Sequence, residues 1–268
     1  VVWQIRRRSG AVADQGTLRA DRVPAGGSTP LGRIDSDALG GVHEAERLEI
    51  VLSVRGKSVT NRWFVWVYPP AVSDGDAGDA GSGDILIRER LDDAAEAHLR
   101  QGGKVLLLPY KAGLPNAVPG KFMPVFWSPV RFPSESPCGV SIDKEHGIFE
   151  RFPTDDYAEY PWKDLLDRSV SIPLDGCPLA IRPIVQVIPN FFHNRKLTNL
   201  FELAVGGGKV VVCSIDLQDE LENRPAARQL RHSILHYMSG PGFNPAQSMD
   251  TAELKRLLAL PAPGSPVA

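Results

Sequence analysis

Three cysteines, four histidines and one aromatic-acidic stretch are the residues of this chain whose types and spacing could do chemistry. A nucleophilic thiol needs a sharp turn after a strand and an imidazole nearby in space. Cys213 lies in an apolar strand run and Cys177 in a Gly-Cys-Pro turn; Cys138 sits in the loop Ser136-Pro137-Cys138-Gly139, with no nucleophile elbow around it. Buried or incidental thiols are the simpler expectation. The three share no CxxC or Cys/His ligand spacing, so neither a disulfide framework nor a zinc site is indicated. His146, in Asp143-Lys144-Glu145-His146-Gly147, and His193, in Asn190-Phe191-Phe192-His193-Asn194, fall in loops after predicted strands, where α/β ligand sites open. Neither has a partner at ligand spacing, and a backbone-capping histidine is expected. His232 and His236 are one helical turn apart, without an HExxH pattern, on a helix that must also bury an apolar stripe. No metal site is expected there.

Glycine-rich segments give no cofactor signal. Gly206-Gly207-Gly208-Lys209 is followed by Val210, not by the Ser or Thr of a phosphate-binding loop, and no G-x-G-x-x-G opens a helix after a strand. A hairpin turn is the better reading. Ser73 to Gly83 is Asp/Gly-rich but lacks the terminal glutamate of a calcium loop, so it reads as a connector.

One stretch points to a ligand class. Phe152-Pro153-Thr154, Tyr157, Tyr160 and Trp162 are interleaved with Asp155, Asp156 and Glu159. Aromatic faces beside carboxylates suit a sugar, whose C–H groups stack on the rings while the acids take its hydroxyls; the same rings also anchor a loop onto a core. Anchoring is favoured, and Tyr157, Tyr160, Trp162 and His146 are carried forward as candidate carbohydrate contacts. No residue is assigned a catalytic role, no metal ligand is assigned and no cofactor is expected.

The elements that must position these residues change character along the chain. The 268 residues, 43% hydrophobic with a formal net charge of -2, suit a globular protein and give no electrostatic footprint for nucleic acid or an anionic membrane. No apolar run approaches the roughly 20 residues of a membrane span, and the N-terminal residues lack the regions of a signal peptide. Val1–Ile5, Leu48–Val54 and Val59–Val67 read as antiparallel strands, the last two turned by Arg55-Gly56-Lys57-Ser58. Asp84–Ile87, a helix through Leu91, Ala94, Ala95 and Leu99 stopped by Gly102-Gly103, and Lys104–Leu108 read as a right-handed βαβ unit. Val140–Ile142, Pro183–Ile188, Leu200–Val205 and Val210–Ile215 are further strands, the last pair expected as an antiparallel edge hairpin. A helix from Pro225 to Ser239 closes the domain. The expected domains are 1–72, a β-sandwich; 73–83, a linker; 84–240, an α/β domain; and 241–268, a Pro-rich, poorly packed tail with a weak helix. A chain that opens in mid-strand at Val1 is expected to continue upstream.

Several of these stretches also carry a resemblance. Asn61-x-Trp63-x-x-Trp66-Val67-Tyr68-Pro69, Gly102-Gly103-Lys104-Val105-Leu106-Leu107, Phe122-x-Pro124-x-Phe126-Trp127-Ser128 and Asp143-x-x-His146 come first in the chain. Phe152-Pro153-Thr154 with Trp162, Phe201-Glu202-x-x-Val205-Gly206-x-Gly208-Lys209 and Arg228-Gln229-Leu230 follow. Together they resemble the C-terminal region of bacterial glycoside hydrolase family 2, the β-galactosidase-like enzymes. The resemblance implies an immunoglobulin-like sandwich, incomplete here, and a flavodoxin-like three-layer domain similar to class I glutamine amidotransferases without their nucleophile. It departs at His146-Gly147, where His-Pro is expected. Retaining glycosidases need two carboxylates about 5 to 5.5 Å apart, and the family takes its acid/base from an Asn-Glu dipeptide that this chain lacks. The resemblance thus implies a non-catalytic C-terminal module of a hydrolase of β-linked glycans, with the rest of the larger chain and a glycan as partners. Export to the periplasm or beyond is implied if the parent carries a signal peptide. The alternatives are an independent amidotransferase-like or sugar-modifying enzyme using Cys138 or His146, and a carbohydrate-binding module.

Overall fold

The computed structural model describes residues 1–40, 42–70, 85–121, 137–177, 180–190 and 194–259. The chain forms two compact units, Val1–Ala71 and Val72–Ala268. The connector expected at 73–83, the Phe122–Ser128 motif, His193 and the tail beyond 259 lie outside the described residues.

The first unit is one antiparallel sheet. Its strands β1 (Val2–Arg6), β2 (Val12–Thr17), β3 (Glu46–Ser53) and β4 (Thr60–Val67) run in the order β2-β1-β3-β4. Alternation puts Trp3 and Ile5 opposite Leu52 and Ile50, on the same face as Leu48. Trp3 lies across β2 at Gly16, where a Cβ would come within 2.6 Å of the indole, so this strand position must be a glycine. The β3–β4 turn closes through the Val54 N–H to the Val59 carbonyl at 3.0 Å, with Gly56 at φ 74°. The expected immunoglobulin-like sandwich is corrected: the described residues of this unit hold a single sheet. Leu18 and Ile34 pack against its apolar face, the role a second sheet would have had.

In the second unit, β5 (Ile85–Arg88), α1 (Asp93–Arg100) and β6 (Lys104–Leu107) form a parallel βαβ unit. The Asp92 carboxylate caps α1 by accepting the Ala95 N–H at 2.8 Å, and Ala95 and Leu99 are buried. The chain continues through β7 (Val118–Pro119), β8 (Gly139–Ile142), α2 (Tyr160–Asp167), β9 (Val170–Pro173), β10 (Val185–Ile188), β11 (Leu197–Val205) and β12 (Gly208–Cys213). It ends in α3 (Pro225–Ser239), β13 (Ser248–Met249) and α4 (Thr251–Ala259).

The resulting nine-stranded sheet is mixed, and the flavodoxin-like three-layer expectation is overturned. Its main path is β5-β6-β12-β11-β10-β8, with β7, β9 and β13 joined off it. The strands β5, β6 and β12 are mutually parallel; from β12 onward, the pairings through β11, β10 and β8 are antiparallel. A flavodoxin-like sheet is parallel throughout, each strand followed by a crossover helix. Here β10 alternates, with Val185 and Val187 buried and Gln186 and Ile188 open, the pattern of an antiparallel strand with one wetter face.

The β11–β12 hairpin was expected at an edge and lies in mid-sheet. Its three glycines answer two different requirements. Gly206 (φ 61°) and Gly207 (φ 97°) adopt left-handed backbone. Gly208 is required by crowding, because a Cβ would come within 2.4 Å of the Gly103 carbonyl and 2.8 Å of that of Leu99. One core cluster joins Ala95 and Leu99 of α1, Phe201, Leu203 and Val205 of β11, and Val210 and Val212 of β12. Leu254 and Leu257 of α4 belong to it too, which corrects the expectation of a poorly packed segment there.

Candidate functional site

His146 begins a 3-10 turn, Gly147–Phe149, and its Nδ1 accepts the Ile148 N–H at 3.2 Å. That leaves Nε2 3.8 Å from Oε1 of Glu202 on β11. Tyr237 of α3 donates its hydroxyl to Glu202 Oε2 at 2.9 Å and meets the His146 ring edge-on, centroids 5.1 Å apart. Burial first, then the facing Glu202 charge and the hydrogen bond to it, push the Tyr237 hydroxyl well above its usual range. Gly147 sits against the Tyr237 ring, where a Cβ would lie 3.1 Å from it, so a proline would crowd this contact.

The same helix face holds the rest of the loop. Gln229 Nε2 donates to the Arg151 carbonyl at 2.6 Å, and Ser233 Oγ donates to the Ile148 carbonyl at 2.7 Å while accepting the Arg151 N–H at 3.0 Å. Gln229, Ser233 and Tyr237 are spaced four apart and so form one row along α3. His146, Glu202 and Tyr237 therefore belong to a fastening that holds the loop from 143 to 152 on the helix. His236 lies 3.8 Å from Glu150 Oε2 at the margin of this loop, and His232 is buried.

The aromatic candidates separate. Trp162 is buried, packed edge-on against Phe152 (5.8 Å) and Phe149 (6.2 Å), and its Nε1 donates to Thr154 Oγ1 at 2.9 Å. It anchors the loop. Tyr157 and Tyr160 are 54% and 82% exposed. The Tyr157 backbone is bridged to Ser141 of β8, while Tyr160 opens α2 ahead of Pro161.

A second polar cluster, which sequence reasoning missed, occupies the carboxyl end of β12. The Asp216 side chain is fully buried. Its Oδ1 accepts the N–H groups of Gln218 and Asp219, both at 3.1 Å. Its Oδ2 lies 2.9 Å from Arg168 Nη2 and 3.4 Å from Arg224 Nη1, as ion pairs outside hydrogen-bond alignment. Arg224, itself buried, donates Nε to both Asp164 oxygens at 3.1 and 2.9 Å and Nη1 to the carbonyls of Asp216 and Asp219. Lys111, beyond β6, holds the Asp219 carboxyl below the usual carboxylate range through its hydrogen bond. The place where parallel-sheet proteins open a ligand crevice is here occupied by these charge pairs. An aspartate closing the largely apolar run Val210–Ile215 was the available sequence signal.

The thiols do not join either cluster. Cys138 and Cys177 are half-buried; Cys213 is buried in β12, and burial pushes its thiol up to about 12. Between the ordinary value of 9.0 and about 12, the unfolded chain loses this proton while the folded chain keeps it. The unfolded state binds fewer protons in that window, so stability falls as pH rises through it. Alkaline unfolding followed by circular dichroism is expected to show a shallower fall for Cys213→Ala than for the wild type; equal slopes would refute this assignment. Among the described residues, no three His, Cys, Asp or Glu side chains are grouped to hold a metal ion.

Residues 86–259 match the family described as "Domain of unknown function (DUF8487)", and residues 1–69 match that described as "Domain of unknown function (DUF8488)". No curated protein matches the chain. The first match covers more than half of the chain, which therefore belongs to the DUF8487 family.

Proposed function

We propose that the chain is a non-catalytic C-terminal module of a β-galactosidase-type glycoside hydrolase, with a structural or substrate-entrance role beside the rest of a larger chain. The observation that carries this reading is the convergence of four of the seven motif stretches. His146, Thr154, Trp162, Glu202 and Gln229 are far apart in sequence, yet each takes part in securing the 143–154 loop. The mixed sheet removes the flavodoxin-like part of the resemblance and leaves this correspondence of motifs. The groups that would do chemistry are engaged in holding structure: Cys213 is buried, His146 caps a turn, and Asp216 is enclosed by two arginines.

The purified chain is expected to hydrolyse aryl β-galactosides no faster than buffer. Clear turnover that survives repurification and is lost in His146→Ala would replace this reading with the independent-enzyme one.

A further inference from the structure

We propose that the groove along one side of α2 binds a neutral oligosaccharide, with Tyr160 as its stacking platform. The groove has a volume of about 480 Å³ and is open along one side. That lies within the roughly 300–1,000 Å³ of small-molecule sites and leaves room for more than one pyranose ring. Its floor is apolar and fixed. Trp162 and Leu166 line it, and the indole is held by Thr154 and its two phenylalanine neighbours. Tyr160, at 82% exposure, stands at the wall with its ring presented to solvent.

The rim selects the ligand class. Among the described residues of the lining, Lys121 and Lys163 contribute two ammonium groups and Glu159 and Asp167 two carboxylates, which balance. Lys163 and Asp167 pair at 2.7 Å one helical turn apart, with the lysine 71% exposed. A phosphate or sulfate chain would find no excess of cations among these described residues. A neutral pyranose fits: its C–H face stacks on an aromatic ring, and its perimeter hydroxyls donate to carboxylates and accept from ammonium groups.

Calorimetric titration with β-1,4-galactotriose, cellotriose and an anionic chondroitin hexasaccharide tests this. At least one neutral trisaccharide is expected to bind, the chondroitin probe more weakly. Tyr160→Ala is expected to lower the affinity roughly ten-fold or more without changing the melting temperature, since one exposed stacking ring is removed. Tyr160→Phe is expected to keep it, and Tyr157→Ala, exposed but outside the groove, to leave it unchanged. The proposal is overturned if neither neutral trisaccharide binds, if Tyr160→Ala binds as tightly as the wild type, or if the chondroitin probe binds best. It extends the module reading, yet the two fail separately: galactoside turnover would end that reading without touching binding at Tyr160, and absence of binding leaves a purely structural module.

Discussion

Replacing Asp216 with alanine is expected to lower the free energy of unfolding by about 3–5 kcal/mol, the usual consequence of removing one partner from a buried ion pair. Two losses combine. The Gln218 and Asp219 N–H groups lose the acceptor that closes their turn. The Arg224 guanidinium, 6% exposed, is left with the Asp164 carboxylate but without the buried charge opposite Nη1. Asp216→Asn is expected to lose less, because an amide oxygen can still accept both N–H groups while the charge is gone. Urea titration of the three proteins measures this order. A midpoint for Asp216→Ala equal to that of the wild type would show the network to be incidental.

Trp162→Ala is expected to cost about 3–5 kcal/mol, as for other large aromatic side chains removed from a packed core. The indole is 1% exposed and touches two phenylalanines edge-on, so its removal leaves a cavity that neighbours cannot readily fill. Thr154 also loses the Nε1–H that it accepts. Trp162→Phe should recover part of the packing and none of the hydrogen bond. The functional readout is separate: Trp162→Ala is expected to abolish trisaccharide binding as well, by removing the groove floor, whereas Tyr160→Ala leaves stability alone. A Trp162→Ala protein with wild-type melting would contradict the anchoring role.

Local signals in the chain were strong wherever one residue type meets a backbone requirement. Gly102-Gly103 after the first helix, Pro225 at the start of α3 and Gly56 in the β3–β4 turn all stand where those rules put them. Strand partners were not legible. Val210, Val211 and Val212 are apolar because both faces of β12 are buried, and that composition is the same beside a parallel neighbour, β6, as beside an antiparallel one, β11. Hence an edge position is the expectation for the hairpin, while the flavodoxin-like topology is what the family resemblance implies and the residues themselves do not specify. The first unit misled for a related reason: alternation reports one buried face without saying whether a sheet or a loop residue such as Ile34 covers it.

Of the site, His146 was visible as a loop histidine and its capping role was the expected one. Glu202 and Tyr237 were not visible, since a carboxylate within a strand and a tyrosine on an apolar helix stripe acquire meaning only when α3 is laid across β11. The spacing of Gln229, Ser233 and Tyr237 was present in the sequence, but the apolar stripe of the same helix dominated it.

The mid-sheet position of the β11–β12 hairpin has a consequence for how this unit is assembled in time. Its two strands are joined by Gly206 and Gly207, so their pairing is local and belongs to the roughly 1–10 μs events of hairpin formation. The other edge of β12 must find β6, with Lys209 opposite Lys104 across roughly a hundred intervening residues, and such long-range parallel pairing is the slow class of contact. β12 is thus the seam between an early half and a late half. Until β6 arrives, the hairpin carries an apolar strand edge, Val210 to Val212, open to the wrong partner.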